Sequence, residues 1–425
     1  MSAILAMVFL VMLVIGVPVA IALGGSSLLL VMAEDVQPHL VVVHRMISGV
    51  DSFPLLAIPF FIMAGSLMNS SGITARIYDF ALALVGWLKG GLGHVNVVGS
   101  VIFAGMSGTA VADAGGLGNI EIKAMRDHGY DVDFAVGITG ASSTIGPIIP
   151  PSLPMVIYGV MANASIGQLF AAGLIPGLLM AATMMVMVSW YAHVRGFHRD
   201  ATFALSRLWY TSKRAFLPLM TPVLLIGGMT SGIFTPTEAA IAATAYALFL
   251  GMVVYRTLTW RGLIKVSMET TETTAIILLI VAGASIFGYL ITITKITDNV
   301  AELVLSITSE PWAVLLMVNI FLLIVGCFME TIAAITILVP VLLPLMERIG
   351  VDPVHFGLIM VLNLMIGLLT PPVGMVLYIL ARVANISFER TTRACAPFLI
   401  PLLVTLGAVT YWPEMVLWLP TMIYR

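Results

Sequence analysis

Two proline-broken apolar segments constrain this chain more than any other feature: "GPIIPPSLPMVIYG" from Gly146 to Gly159, and "GLLTPPVGMVLYI" from Gly367 to Ile379. Proline removes an amide donor and clashes with the preceding turn, so a Gly followed by a Pro-Pro pair interrupts a helix. Both breaks lie in very apolar surroundings, where lipid offers the freed carbonyls and amides no partner. They must line a cavity or a ligand. A packing kink explains a lone proline in a membrane helix; a pair of matching breaks, one in each half of the chain, argues for a site.

The rest of the composition agrees with a membrane location. Of 425 residues, 60% are hydrophobic and 9% charged, which an ordinary solvated surface could not tolerate. The first segment, Ala3 to Met32, has no basic n-region and no small-residue cleavage site, so it reads as one retained spanning helix. A net charge of −2 leaves no basic tail for nucleic acid. Cys327 and Cys395 sit in or beside apolar segments, where a packed thiol is expected. The long apolar runs lack strand alternation, so the spanning elements are helices.

Basic loops give the orientation. Arg195, Arg199, Arg207, Lys213 and Arg214 face a single Asp200 between His193 and Phe216, which places that loop in the cytoplasm. Counting onward, Phe216–Phe234 crosses out, Ala239–Tyr255 returns to Arg256, Arg261 and Lys265, and Thr273–Thr294 crosses out. Trp312–Met346 is longer than one helix needs and contains Gly326, Glu330, Thr331, Pro340 and Pro344, so it reads as a re-entrant hairpin from the outside. Phe356–Leu380 returns inward and Ala396–Leu419 goes out. Counting backward, Gln168–Tyr191 runs inward, Phe134–Val160 outward, and Val95–Met125 is a hairpin opening inside. Crossings near 77–92, 50–70 and 3–32 then leave the N-terminus on the outer face.

The two broken helices therefore run in opposite directions, and a repeat supports pairing them. Gly326 stands 221 residues after Gly105 (326 minus 105), and the same shift carries Met125 to Met346, Asp131 to Asp352, Gly146 to Gly367, and Pro150 and Pro151 to Pro371 and Pro372. The expected fold is an all-α polytopic membrane protein with inverted repeats, two re-entrant hairpins and two broken helices. That combination is the signature of a secondary transporter.

Oxygen-bearing residues cluster at the hairpins and breaks. Ser142, Ser143 and Thr144 precede the first break and Asn363 holds a comparable place in the second; these are the candidate substrate ligands. Ser152 and Thr370 stand at the breaks, while Ser107, Thr109 and Asp113 in the first hairpin and Glu330 in the second supply further oxygens. Thr109 matches Glu330 in the repeat. A carboxylate within the membrane is costly unless it is paired, protonated or facing water or an ion. Hard oxygens suit sodium, and half-helix N-termini can face an anion. No basic residue stands obviously in the core to fix a carboxylate, so helix termini take that role.

Other features have plain readings. "TPTE", Thr235 to Glu238, is a capping box with Pro at the first helical position. Asp131 and Asp352 fall in polar turns, and His94, His128 and His355 near segment ends read as solvated or interfacial. No phosphate loop, HExxH or GxSxG motif is present, so no enzyme chemistry is expected and ATP-driven pumping by this chain alone is excluded.

"SGIFTPTEAA" (Ser231–Ala240), the hairpin "SGTAVADAGGLG" and the break "PPSLPMVIYG" together resemble the large membrane subunit of the tripartite ATP-independent periplasmic (TRAP) transporters, over essentially the whole chain. The resemblance implies an elevator-type, sodium-coupled importer of organic anions, such as sialic acid or a four-carbon dicarboxylate, in the bacterial inner membrane. It implies two partners, a small four-helix membrane subunit and a periplasmic substrate-binding protein, and no cofactor besides coupling sodium ions. It places sodium at Ser107, Thr109, Gly146, Pro150 and Ser152, and at Glu330, Thr331, Gly367, Thr370 and Pro372. The corresponding division is a scaffold over 1–94, transport-domain segments over 95–161 and 295–382, scaffold helices and loops over 162–294, and a C-terminal helix over 383–425. A stand-alone sodium-coupled carboxylate transporter is the alternative. A channel fits less well, because two inverted halves meet within one chain instead of symmetric subunits around a pore.

Overall fold

The structure, a computed structural model, describes residues 2–34, 38 and 40–424, and these are all-helical apart from one isolated bridge between Lys89 and Arg199. The chain opens with α1 (Ser2–Val14), α2 (Val19–Glu34) and α3 (Leu40–Val50), then a 3-10 turn at Phe53–Leu56 runs into α4 (Ala57–Ser70). The segment Ala3–Met32 is thus two helices and not one. Gly16 is left-handed (φ +85°), Val17 donates back to the Met12 carbonyl, and Pro18 cannot extend α1. The chain folds back there: a Cβ on Gly25 would lie 3.1 Å from the Met12 methyl, which a straight helix would hold about 20 Å away.

After α5 (Ile73–Val85), hairpin 1 comprises α6 (Gly91–Ser107), a tip at Gly108 and Thr109, α7 (Ala110–Gly115) and α8 (Leu117–Asp127). The first broken helix is α9 (Val132–Ser143) with α10 (Leu153–Met161). Next come α11 (Ile166–Val194), α12 (Leu205–Thr230), α13 (Pro236–Phe249, prolonged by a π turn to Val254) and α14 (Trp260–Ile293). α15 (Ile296–Ile307) leads to hairpin 2, made of α16 (Pro311–Phe328) and α17 (Thr331–Arg348). The second broken helix is α18 (Pro353–Gly367) with α19 (Met375–Ala384). α20 (Phe388–Cys395) continues through a 3-10 turn into α21 (Leu399–Tyr411), and α22 (Pro413–Ile423) follows. The helix expected over Ala396–Leu419 is cut at Trp412, whose backbone leaves the helical region (φ −127°, ψ 74°) ahead of Pro413.

The repeat reaches beyond the matching residues. At the shift that carries Gly105 to Gly326, α4 falls on the second half of α14, α5 on α15, α6 on α16, α7 and α8 on α17, α9 on α18, α10 on α19, and α11 on α20 and α21. Upstream, α2 falls on α13 and α3 on the first half of α14. Packing is reciprocal. α2 lies along α14 as α13 lies along α4, and α10 packs on hairpin 2 as α19 packs on hairpin 1. Such an exchange of partners is what a two-fold relation between halves requires. The halves differ at one joint: α14 is continuous over 34 residues, whereas its counterpart is interrupted at Asp51 and Ser52.

α5 has 13 residues and α15 has 12, so each is about 20 Å long or less, shorter than the ~30 Å hydrocarbon core that the crossing expected at 77–92 would have to span. Two of the histidines also differ from expectation: His94 and His355 are buried, the latter bonded to the Val409 carbonyl at 2.7 Å, whereas His128 is exposed. The capping box at Thr235–Glu238 forms fully. Asp131 and Asp352 each cap the N-terminus of a broken helix.

Candidate ion and substrate site

Each hairpin tip sits on the break of its own repeat. Gly108 is left-handed (φ +63°), its carbonyl accepts from the Leu153 amide at 3.3 Å, and a Cβ there would lie 2.7 Å from the Pro151 carbonyl oxygen. Only glycine fits that tip. In hairpin 2 the Cys327 carbonyl accepts from the Val373 amide at 3.1 Å, and the Cys327 thiol lies 3.0 Å from the Thr370 hydroxyl. Tips and breaks thus bring freed backbone groups together from both sides of each site.

The expected ion ligands converge there, and several also close helix ends. Thr109 accepts from the Ala112 amide at 3.2 Å at the start of α7. Its counterpart Glu330 accepts from the Ile332 and Ala333 amides at 2.8 and 3.1 Å at the start of α17. Ser152 accepts from the Met155 amide at 3.3 Å and donates to the Pro147 carbonyl. The hydroxyls of Ser107 and Thr331 are buried without a hydrogen-bond partner in the protein, leaving an orphaned oxygen at each tip. Such groups call for a ligand. Gly146, Pro150 and Ser152 are buried, while Thr370 is half-buried and Pro371, Pro372 and Val373 are exposed, so the first break is covered by the chain and the second reaches its surface.

The candidate substrate ligands lie elsewhere along the same helices. Ser143 and Thr144 donate to the Gly140 and Ala141 carbonyls of α9. The Ser142 hydroxyl donates to Asn96 of hairpin 1 at 2.6 Å, and Asn96 donates to Thr139 at 2.7 Å. Asn363, which the repeat pairs with Ser142, donates to Asn319 of hairpin 2 at 2.6 Å, and Asn319 donates to Thr410 at 3.1 Å. Ser142 and Asn363 thus fasten each broken helix to its hairpin, through two asparagines that the sequence did not single out. Asp113 lies buried within hairpin 1 near Ser100 and Glu121 instead of at the tip. Among the described residues no three His, Cys, Asp or Glu side chains cluster, and apart from the Cys327 thiol the donors at the tips are oxygens, which fit a hard ion better than a transition metal.

A basic residue missed by the sequence reading borders a cleft of about 420 Å³ between α3, α10, α14 and α17. Arg45 lies there with Ser48, Ser52, Ser285 and Tyr289, its guanidinium 4.0 Å above the Tyr289 ring.

Two halves that exchange partners around broken helices and re-entrant hairpins define a secondary transporter. Residues 6–415 match the family described as "Tripartite ATP-independent periplasmic transporter, DctM component", and the chain belongs to that family. It is similar to the sialic acid TRAP transporter large permease protein SiaM of Vibrio cholerae, at 50% identity over 377 residues, covering 89% of this chain and 88% of that one. It is 42% identical over 417 residues to the sialic acid TRAP transporter permease protein SiaT of Haemophilus influenzae, covering 98% of this chain and 68% of that one. The YdaH transporter of Alcanivorax borkumensis shares the fold, with a TM-score of 0.64 at 14% identity, covering 89% of this chain and 88% of that one. The chain is a multi-pass inner-membrane component of a tripartite transport system.

Proposed function

We propose that this chain takes up an organic anion of the sialic acid type, driven by sodium, and receives it from a periplasmic binding protein while assembled with a small membrane subunit. The observation that carries the reading is the seating of each hairpin tip on its own broken helix, where backbone carbonyls, hydroxyls and Glu330 converge. Sodium ions held at both tips by Ser107, Thr109, Gly146, Pro150 and Ser152, and by Glu330, Thr331, Gly367, Thr370 and Pro372, would lock the tips onto the breaks and so shape the anion site between them. The relatives named for sialic acid favour that substrate; another, from Pseudomonas aeruginosa, is named for C4-dicarboxylates and shares 38% identity over 401 residues, covering 94% of this chain and 93% of that one.

The moving block in this reading comprises the hairpins and broken helices, residues 95–161 and 295–382, sliding against the helices of 1–94 and 162–294. Reciprocal packing of α10 on hairpin 2 and α19 on hairpin 1 supports treating these parts as one body. The Arg45 cleft, at the outer ends of α10 and α14, is where an arriving carboxylate would first meet a positive charge.

Uptake of labelled sialic acid into proteoliposomes, with both partners present, tests this. An inward sodium gradient should drive uptake that an equal potassium gradient does not, and omission of the binding protein should abolish it. Uptake indifferent to sodium sinks the coupling, and uptake without the binding protein favours the stand-alone transporter.

A further inference from the structure

Hairpin 1 encloses two carboxylates that the tip sites do not use. Asp113 of α7 and Glu121 of α8 are each 1% exposed, and Asp113 Oδ2 and both Glu121 oxygens lack any hydrogen-bond partner in the protein. The Ser100 hydroxyl on α6, also 1% exposed and without a partner meeting hydrogen-bond geometry, faces the Asp113 carboxyl. Glu121 is pressed against α6: a Cβ on Gly99 would lie 2.9 Å from its Oε1. Three elements of one hairpin therefore hold four unsatisfied oxygens in its interior.

Among the described residues no cationic side chain forms an ion pair with them. The neighbouring titratable groups are Tyr78 of α5 and, beyond it, Asp79 and Asp200. The four ion pairs among the described residues join Arg195 to Asp131, Lys265 to Glu269, Arg348 to Asp298 and Arg390 to Asp133, all partly or well exposed. Lys123 and Arg126 on α8 are exposed on its other faces. Two carboxylates removed from water near one another are costly, since burial penalises each and they repel one another, and a cation bound between them relieves both costs. With two carboxylates and a hydroxyl as donors, and neither nitrogen nor sulfur, the set suits a hard cation, and sodium is the hard cation of the proposed function.

We propose that hairpin 1 holds a cation site of its own, in which a sodium ion is bound between the Asp113 and Glu121 carboxylates with the Ser100 hydroxyl as a neutral ligand. The site is separate from the tip. It travels with the hairpin, and it ties α6 to α7 and α8 so that the hairpin moves as one piece. The proposal rests on sodium being the coupling ion.

Equilibrium binding of labelled sodium to the full chain assembled with its small subunit in lipid nanodiscs is the test. Glu121→Gln and Asp113→Asn should each bind one sodium ion fewer per chain than the wild type. Ser100→Ala should keep the count and bind that ion about tenfold more weakly, which covers the case that a carboxylate variant fails to fold. Glu330→Gln, altering hairpin 2, should retain the ion inside hairpin 1. If Glu121→Gln and Asp113→Asn bind as many sodium ions as the wild type, the proposal is overturned, and protons then neutralise the pair. A wild type that binds no sodium overturns this proposal and the sodium-coupled function together, whereas unchanged variants on a sodium-binding wild type overturn this proposal alone.

Discussion

Gly326 and Gly367 meet backbone to backbone where hairpin 2 crosses α18: a Cβ on Gly367 would lie 2.4 Å from the Gly326 carbonyl carbon, and one on Gly326 3.2 Å from the Gly367 Cα. Neither neighbour is a flexible side chain that could swing away. Gly367→Ala should force the hairpin off the helix, lowering the stability of the purified protein by about 1–3 kcal/mol and abolishing transport. Gly326→Ala should do less. Thermal unfolding in detergent beside uptake assays ranks the two; equal, mild effects would show that the crossing is not tight.

Glu330 combines two roles that substitutions can separate. Glutamine retains an acceptor for the Ile332 and Ala333 amides but removes the charge, so Glu330→Gln should raise the sodium concentration for half-maximal uptake with little change in melting temperature. Glu330→Ala should add a loss of stability of roughly 1 kcal/mol from the missing cap. An unchanged sodium dependence in Glu330→Gln removes this carboxylate from the ion site.

Asp200, the one acidic residue of its basic loop, helps pin that loop to hairpin 1. Its Oδ2 accepts from the Leu92 amide at 2.9 Å and from the Tyr130 hydroxyl at 2.5 Å. Asp200→Ala leaves a buried phenol and a helix-terminal amide with poorer partners, and should cost about 1–3 kcal/mol. Accelerated hydrogen exchange at the start of α6, and not at hairpin 2, is the expected signature.

Asn319 bridges α18 to α21 through Asn363 and Thr410. Asn319→Leu strands two buried polar groups and should lower the melting temperature, with a stability loss of about 1–3 kcal/mol. A changed substrate KM at unchanged stability would instead return Asn363 to the substrate site.

Arg45 gives the cleft between α3, α10, α14 and α17 its positive charge. Arg45→Gln should raise the KM for a carboxylate substrate about tenfold while leaving the sodium dependence of uptake in place. Unaltered KM places anion capture elsewhere.

The hairpins and breaks were legible because glycine and proline mark them in segments where nothing else interrupts apolar side chains. Gly16 and Pro18 carry the same kind of mark, a helix-ending glycine followed by a proline, in a segment still apolar enough to pass for a single helix. α5 and α15 escaped because short helices beside a membrane leave no hydropathy signal of their own. Asn96 and Asn319 were invisible for a different reason: a single asparagine in a helix acquires meaning only when folding brings Ser142 or Asn363 against it. Glu121 stands on α8 among Lys123, Arg126 and Asp127, where the pattern suggests one more solvated charge; its spacing of two helical turns from Asp113 was the available clue.

α14 is an unbroken rod, whereas the segment matching it in the first half is jointed at Asp51 and Ser52. A rod resists bending along its whole length and a jointed strut yields at one place. Although the two halves share one plan, they differ in stiffness, and flexing of the frame falls on the first half, at a joint whose Ser52 itself lines the Arg45 cleft.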